Sequence, residues 1–343
     1  MMPLYQKRYD AGLGRDIAVM SHEGSECRIL QFLGCRYRVD GLLAAGGQGV
    51  IFIACDERVF GKRVLIKVNR YDGQAFRNPR DADASRQIKE GRERLKRERD
   101  MLLHAADRGI PGVPTAIDWV IAPSPQIRGP HRMENGTTFE LDESKYGAEG
   151  HLVMSYVSGV PLSQACLDPR FRNKLLGNAK QVILQVGRIL NEFHRPVANG
   201  DRPIRFVYQD LKPDNVIWTS EGTVVLVDFG GFATVCGNQV WNARVTTQYY
   251  GAPEMFDGTL PQDAVKPVAD VFSLGATVLH VLRGSAPIDA NGEGDYRTER
   301  LEVPGEWKVW LSRALERKPE ERFRSLTAAI DAAHHLPLRM ERP

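Results

Sequence analysis

The chain has 343 residues, of which 42% are hydrophobic and 26% charged, and its formal net charge is +3. This composition excludes a wholly disordered chain, and so small a net charge does not indicate a nucleic-acid-binding protein. The five cysteines show no Cys-x-x-Cys spacing and no stretch reaches the ~18 apolar residues of a membrane span, so we expect no zinc site, no disulfide framework, no membrane span and a cytoplasmic location.

Residues 1–34 contain no motif that assigns them a role, and we interpret them as an N-terminal extension. From residue 37 the pattern changes to strands, 37–43 and 50–54, on either side of a glycine cluster, which predicts a hairpin. Gly46, Gly47 and Gly49 in its turn would allow backbone N–H groups to approach a phosphate. A β-branched strand follows these glycines, whereas a dinucleotide-binding fingerprint would need a helix there.

The next elements are a strand, a helix and an insertion. Residues 64–68 form an apolar strand that carries Lys67, and residues 84–106 are rich in Arg, Lys, Glu and Leu without proline, which predicts a helix. We expect Leu95, Met101, Leu102 and Leu103 to form its apolar side. A polar stretch at about 123–150 is too long for an ordinary strand connection, so we interpret it as a surface insertion that ends at a buried strand, 152–157.

The most informative segment is Tyr208-Gln209-Asp210-Leu211-Lys212-Pro213-Asp214-Asn215, followed by Asp228-Phe229-Gly230. Strands at 216–218 and 224–227 predict a hairpin that places Asn215 beside Asp228. Their side-chain oxygens are ligands that Mg²⁺ accepts, since this ion completes its shell with water and phosphates. Asp210 can accept the proton of an attacking hydroxyl, and Lys212 can neutralise charge on a transferred phosphoryl group.

These residues, in this order, resemble the catalytic loop and magnesium motif of eukaryotic-type (Hanks-type) serine/threonine protein kinases, with Tyr-Gln-Asp in place of His-Arg-Asp. Ala252-Pro253-Glu254 resembles the end of the activation segment in that family, and Arg322 matches the arginine that pairs with Glu254. Asp270 matches the aspartate that fixes the catalytic loop. The resemblance covers about residues 37–335.

The resemblance implies an α+β, bilobal protein kinase-like fold. Its N-lobe would be small and β-rich with one regulatory helix, and its C-lobe larger and mainly helical. We therefore expect an N-lobe and hinge at 35–157, a C-lobe at 158–336 and a tail at 337–343.

The resemblance also implies roles for individual residues. Lys67 would hold the α- and β-phosphates of ATP and pair with a glutamate of the helix, for which we favour Glu98 and keep Glu90 and Glu93 as alternatives. Thr247 would bond to Asp210 and Lys212. The residues expected around the nucleotide, besides Lys67 and the glycines, are Ile51, Leu65, Met154, Ser155, Val157 and Ile217. Ala44 replaces the first glycine of the family pattern, which predicts a stiffer lid.

The function that the resemblance implies is that of a serine/threonine protein kinase acting on protein substrates, with ATP and Mg²⁺, or Mn²⁺, as cofactors. Two alternatives share parts of this machinery: a kinase-fold phosphotransferase for small molecules and a nucleotide-binding pseudokinase scaffold. Gln209 stands where regulated kinases carry the arginine that receives an activation-segment phosphate. We therefore expect activity that does not require phosphorylation of Thr234 or Thr246.

Overall fold

A computed structural model describes residues 4–10, 15–22, 25–45, 49–69, 82–123, 126–128, 148–200, 202–237, 239–241, 246–256 and 266–337. The chain divides into two compact units. Unit 1 contains residues 1–103 and 115–156, and unit 2 contains residues 104–114 and 157–343. Strands dominate the first unit and helices the second, which confirms the predicted α+β class.

Unit 1 contains two antiparallel sheets, one of order β1-β2-β3-β9 and one of order β4-β5-β6-β7-β10-β8. The first is formed by β1 (Leu4–Asp10), β2 (Arg15–His22), β3 (Ser25–Leu30) and β9 (Gln126–Arg128). The second is formed by β4 (Phe32–Leu33), β5 (Tyr37–Ala45), β6 (Gly49–Asp56), β7 (Lys62–Asn69), β8 (Ala116–Pro123) and β10 (Ala148–Ser155). The predicted hairpin is β5–β6, with Ala44 opposite Ile51.

Helix α1 (Ala82–Asp107) extends the predicted helix by two residues at its start and one at its end. Leu95, Met101 and Leu102 are buried, as expected for an apolar side. Leu103 is 46% exposed, contrary to prediction. One residue advances an α-helix by about 100°, so a buried Leu102 turns its neighbour away from the core.

The N-terminal residues, for which the sequence predicted no structure, form β1 to β3. Ile17 and Val19 of β2 and Ile29 of β3 are buried in the same core as Phe52 and Ile66 of the second sheet. Residue 34 is therefore not a boundary between compact units. The insertion contributes β9, which pairs with β3, while its residues 129–147 lie outside the described part of the chain.

The strand after the insertion begins four residues earlier than predicted and carries two buried polar residues, Glu149 and His151. His151 lies opposite Val120 of β8, so the two side chains share a face of the sheet. Its Nδ1 lies 3.0 Å from the carbonyl oxygen of Glu149, while its Nε2 is buried without a hydrogen-bond partner. Burial lowers the pKa of His151 to about 4, so the ring is neutral in the folded protein.

We expect the free energy of unfolding to fall by about 1 kcal/mol between pH 7.5 and pH 5.5 through His151 alone. The pKa of this histidine is lower in the folded than in the unfolded state, whose ordinary value is 6.5. Its stabilisation is therefore complete above pH 6.5 and is lost as the pH falls towards 4. Urea unfolding at both pH values measures the loss, which should be absent from His151→Phe and retained in the exposed-site control His335→Gln. Parallel pH curves for the wild type and His151→Phe would contradict it.

The turn between β6 and β7 has an unusual backbone. Phe60 adopts a positive φ of 51°, a conformation that costs a residue with a Cβ roughly 1–2 kcal/mol. The turn is closed by Asp56, whose carbonyl accepts from Gly61 N at 3.1 Å and whose carboxylate accepts from Arg58 N at 3.1 Å. Arg36 holds that carboxylate with two bonds of 2.6 and 2.9 Å, which lowers the pKa of Asp56.

Unit 2 is mainly helical in its described residues. Its helices are α2 (Leu162–Leu167), α3 (Pro169–Gly177), α4 (Ala179–His194), α5 (Val268–Arg283), α6 (Gly305–Ala314) and α7 (Leu326–Ala333). Its strands are β11 (Val160–Pro161), β12 (Ile204–Val207), β13 (Val216–Trp218), β14 (Val224–Leu226), β15 (Ala233–Cys236) and β16 (Gln239–Trp241). Helix α5 is buried along almost its whole length, as expected for a central helix that is apolar on all sides. Within the described residues, no helix is long and apolar enough to cross a membrane.

Candidate active site

The predicted hairpin of unit 2 is β13–β14, with Val216 opposite Leu226. A single turn of 3-10 helix, Pro213–Asn215, leads into β13 because Pro213 fixes a helical φ at its first position. Val227 N donates to the carbonyl of Asn215 at 2.9 Å, so the backbone ladder continues to the residue before Asp228. Asp228 then adopts a positive φ of 65°. The hairpin thus brings the backbone of Asn215 next to that of Asp228.

The carboxylate of Asp210 is held by two side chains. Thr247 Oγ1 donates to Oδ1 at 2.6 Å, and Lys212 Nζ donates to Oδ2 at 2.9 Å. Lys212 Nζ also lies 2.8 Å from Thr247 Oγ1, so the three side chains form a closed triangle of hydrogen bonds. Asp210 and Lys212 keep 14% and 21% of their side chains exposed, which leaves both accessible to a substrate.

Asn215 has its amide group oriented by the same loop. Its Nδ2 donates to the carbonyl of Asp210 at 2.9 Å, and this bond leaves Oδ1 as the remaining polar atom of the amide. An amide oxygen and the carboxylate of Asp228 form a donor set that suits a hard cation. The described residues contain no group of three His, Cys, Asp or Glu side chains that could hold a metal ion. Phosphate and water oxygens would therefore have to complete the shell of an ion bound here.

Asp270 of α5 fixes the backbone of the loop that carries Asp210. Its Oδ2 accepts from Tyr208 N at 2.8 Å and lies 2.8 Å from His194 Nε2, and its Oδ1 accepts from Gln209 N at 2.9 Å. Gln209 has a φ of 69°, which is strained for a residue with a side chain. A fully buried carboxylate bonded to two consecutive amides compensates for this strain and determines where Asp210 points.

An aromatic cluster, which the sequence did not predict, packs around Tyr208 at the start of this loop. Phe229 and Phe232 are stacked at 5.5 Å between ring centroids, and Tyr208 packs edge-on against both. Phe193 of α4 completes the cluster at 4.8 Å from Phe232. Tyr208 also donates its hydroxyl to the carbonyl of Val227. The aromatic residue beside Gln209 therefore links the catalytic loop to the strand that leads to Asp228.

Gln209 itself is buried, and its side chain serves the segment that follows Asp228. Its Nε2 donates to the carbonyl of Gly231 at 2.6 Å, and its own carbonyl accepts from Thr246 Oγ1 at 2.9 Å. Thr234 lies in β15, opposite Phe206 of β12 and Trp241 of β16. This small sheet was not predicted. Thr234 and Thr246, the two candidate phosphorylation sites, therefore both lie in the described part of the chain.

The end of this segment is tied to the last part of the chain by an ion pair. Arg322 donates to both oxygens of Glu254 at 2.7 and 2.6 Å, and its side chain is fully buried. It also donates to the carbonyls of Glu316 and Arg317 at 2.7 and 3.0 Å. The predicted pairing of Glu254 with Arg322 is therefore present, and a fifth bond of 3.3 Å to the carbonyl of Val268 gives every donor of the buried guanidinium a partner.

The residues predicted to bind phosphates lie in unit 1. Lys67 Nζ is 2.7 Å from Glu98 Oε2, and these side chains are only 14% and 3% exposed. Glu90 and Glu93, the two alternatives, are exposed and lie near Arg86 and Lys96 instead. The structure therefore pairs Lys67 with the favoured glutamate.

The strand on the other side of Lys67 belongs to the glycine hairpin. Ile51 of β6 lies directly opposite Lys67. A Cβ added at Gly49 would lie 3.0 Å from the carbonyl oxygen of Val68, so a side chain fits there only if the strand moves. Gly46 and Gly47 lie outside the described residues.

The predicted adenine-binding residues lie near the end of β10 and in unit 2. Met154 and Leu65 are paired in register on β10 and β7, and both are buried. Ser155 N donates to the carbonyl of Thr115 at 2.9 Å, and Ser155 Oγ accepts from Thr115 N at 3.0 Å. The backbone N–H of Ser155 is therefore already bonded within unit 1 and is not available to a ligand. Val157 and Ile217 are partly exposed and belong to unit 2.

The chain is similar to a known protein family and to several known proteins. The protein kinase domain family matches residues 140–330, more than half of the chain. Serine/threonine-protein kinase PknA of Mycobacterium tuberculosis is 28% identical over 277 residues, which are 79% of this chain and 52% of PknA, so the chain spans about half the length of that relative. A putative cyclin-dependent kinase F-2 of Oryza sativa subsp. japonica is 27% identical over 311 residues, which are 87% of this chain and 81% of that protein.

A solved structure supports the fold. The kinase domain of Mycobacterium tuberculosis PknI matches with a TM-score of 0.54 at 20% identity, over 88% of this chain and 96% of that one. At this identity the match concerns the fold alone. Together with the family match over residues 140–330, it leads to one conclusion. The chain belongs to the protein kinase domain family and has a protein kinase fold.

Proposed function

We propose that this protein is a serine/threonine protein kinase that transfers the γ-phosphate of ATP to a protein hydroxyl with the help of Mg²⁺. The observation that carries the proposal is the triangle of Asp210, Lys212 and Thr247, in which each side chain bonds to the other two. A carboxylate held in this way is preorganised, and a protein that only binds nucleotide has no need of it.

Asp210 acts as the general base. Oδ2 accepts from Lys212 and, at 3.4 Å, from Asn215 Nδ2, whereas Oδ1 accepts from Thr247 and keeps a lone pair that can accept the proton of an incoming serine or threonine hydroxyl. Lys212 carries a positive charge 2.9 Å from this carboxylate and would stabilise the charge on the phosphoryl group during transfer. Its place two residues after the base is typical of the serine/threonine branch of the family.

Asn215 and Asp228 would hold Mg²⁺, which neutralises phosphate charge when bound. Asn215 would contribute its Oδ1, because its Nδ2 is bonded to the catalytic loop. Lys67, oriented by Glu98, would hold the α- and β-phosphates. Ser155 would accept a hydrogen bond from adenine through its carbonyl, and Val157 would supply a second backbone contact.

Protein rather than small-molecule substrates are favoured by the buried Glu254–Arg322 pair. It fixes the end of the segment that a peptide substrate would contact, and the residues after Glu254 need no such anchor if the acceptor is a small molecule. One assay distinguishes a protein kinase from a small-molecule phosphotransferase and from a pseudokinase. Purified protein is incubated with γ-labelled ATP, Mg²⁺ and either a generic protein substrate or a panel of aminoglycosides and sugars.

The expected result is labelled phosphoserine or phosphothreonine in the protein substrate. Label in an aminoglycoside or sugar alone would instead assign a small-molecule phosphotransferase. ATP binding without transfer to any acceptor would assign a pseudokinase. Replacement of Mg²⁺ by Mn²⁺ in the same assay tests the second metal.

Asp228→Asn is expected to weaken the binding of ATP in the presence of Mg²⁺ by roughly tenfold or more, because an amide replaces a charged metal ligand. Binding measured with EDTA should change little, since the nucleotide then binds without the ion. Isothermal titration calorimetry with and without Mg²⁺ provides both values. Asp289→Asn changes a carboxylate in the turn at residues 289–293, outside the candidate site, and serves as the control. Equal affinity of Asp228→Asn and wild type in Mg²⁺ would contradict the assignment.

Activity is expected to be independent of phosphorylation in the segment after Asp228. The side chain of Gln209 carries no charge and is already bonded to Gly231, so it offers a phosphate at Thr234 or Thr246 no charge-assisted hydrogen bond. Thr234→Ala should therefore be nearly silent, whereas Thr247→Ala should lower turnover roughly 10²-fold by releasing Asp210 and Lys212.

The measurement is the initial rate of phosphatase-treated protein whose segment is shown by mass spectrometry to be unmodified. A linear time course from the start is expected. A lag that prior phosphorylation of Thr234 or Thr246 abolishes would contradict the prediction.

A further inference from the structure

The turn between β6 and β7 carries Phe60, the most exposed large hydrophobic side chain in the described part of the chain. We propose that this turn, residues 57–63, is a contact site for an anionic lipid surface. Its apex would enter the interfacial region of the membrane, and the cations on its flanks would face the lipid phosphates.

The apex is apolar and fully accessible. Phe60 is 104% exposed and Val59 is 41% exposed. The ring of Phe60 therefore contributes nothing to the packing of the folded chain. Its backbone nevertheless occupies the left-handed region, which glycine or asparagine adopts far more readily than phenylalanine. Phe60 thus disfavours the conformation of the turn and does not pack in the core, and a contact with another molecule explains its presence best.

The flanks of the apex are positively charged. Arg58, Lys62 and Arg63 are all exposed, and the turn joins them within six residues. Glu57 is the single acidic side chain in the turn, and Arg38 Nε donates to its carboxylate at 2.7 Å. Arg38 is shared between two carboxylates, because its Nη1 also donates to Asp40. The turn consequently presents three cations and one carboxylate around two apolar side chains, which leaves an excess of two positive charges within residues 57–63.

This combination fits a lipid surface better than a protein pocket. The apex is convex, and its conformation is stabilised by the hydrogen bonds that Asp56 accepts from Gly61, Arg58 and Arg36. Apolar side chains beside Lys and Arg are the pattern of membrane-surface contacts, in which each cation near an anionic surface adds to the affinity. Three cations and one aromatic ring predict weak, reversible binding. The proposal does not depend on the kinase activity, because none of these residues belongs to the candidate active site.

The test is flotation of the full chain with vesicles of phosphatidylcholine, with and without phosphatidylglycerol. Binding is expected only with phosphatidylglycerol and should weaken as salt is added. Phe60→Asn should lower the partition coefficient roughly tenfold, and the double variant Arg58→Gln/Lys62→Gln roughly twentyfold. The controls remove comparable exposed groups elsewhere: Val309→Asn, and the double variant Arg300→Gln/Arg324→Gln. Both controls should bind as the wild type does.

Thermal unfolding separates a lost contact from a damaged fold. Phe60→Asn should unfold at the same temperature as the wild type or higher, because asparagine accepts the backbone of the turn more easily. Wild-type protein that binds both vesicle types equally, or neither, would overturn the proposal, as would unchanged binding of Phe60→Asn. If Phe60→Asn instead abolishes a concentration-dependent self-association seen by ultracentrifugation without vesicles, the turn is a contact between copies of this chain and the lipid proposal is wrong.

Discussion

Asp210→Asn is expected to lower turnover by ~10²–10⁴ and to leave ATP binding nearly unchanged. The asparagine oxygen can still accept a hydrogen bond from Thr247 or Lys212, so the loop should keep its shape. What is lost is the group that can take the proton of the substrate hydroxyl. Turnover is measured with a protein substrate at saturating ATP, and ATP affinity by calorimetry.

The control for this variant comes from the same loop. Asp214 is an exposed carboxylate four residues further on, and its Oδ1 accepts from Ser163 Oγ at 2.7 Å. Asp214→Asn removes the same charge without touching the triangle around Asp210, so it should retain most of the activity. If both variants were equally active, Asp210 would not be the base.

Glu254→Ala is expected to lower the free energy of unfolding by about 3–5 kcal/mol. Arg322 would then remain fully buried without its carboxylate, although its bonds to the carbonyls of Glu316 and Arg317 would persist. A buried charge that loses its partner loses more than the interaction itself, because its desolvation is no longer compensated. Urea unfolding monitored by fluorescence provides the value.

A double variant and a surface pair test the cause. Glu254→Ala/Arg322→Met should be less destabilised than the sum of the single changes, because no charge is left stranded. Lys318 and Glu321 are 2.9 Å apart but largely exposed, so Glu321→Ala should cost less than about 1 kcal/mol. A similar cost for Glu254→Ala and Glu321→Ala would show that burial does not govern the first pair.

The sequence predicted the catalytic hairpin because each of its signals is local. Strands, turn and ligand positions all lie between residues 208 and 228, within the reach of pattern recognition. The partner of Lys67 could also be predicted from the sequence. Glu98 lies three residues after Leu95 and four before Leu102, on the buried side of α1, whereas Glu90 and Glu93 fall on the exposed side.

Non-local pairing accounts for what the sequence did not predict. Strands β1 to β3 become recognisable only through their burial against Phe52 and Ile66, and β9 only through its pairing with β3 from about 100 residues away. The start of β10 was missed because Glu149 and His151 are polar at buried positions, which reverses the usual pattern. In the same way, Tyr208 gave no sign that it packs against Phe229 and Phe232.

The order of strands in the second sheet of unit 1 has a consequence for synthesis on the ribosome. Strand β7 ends at Asn69, but β10, its neighbour in the sheet, begins at Ala148. At ~5–20 residues per second, the roughly 80 intervening residues take about 4–16 s to be made. During that interval the nascent chain holds an apolar strand with one unpaired edge, which is the kind of surface that recruits chaperones or another nascent chain. Slow codons between residues 69 and 148 would therefore prolong the time for which this edge is unpaired.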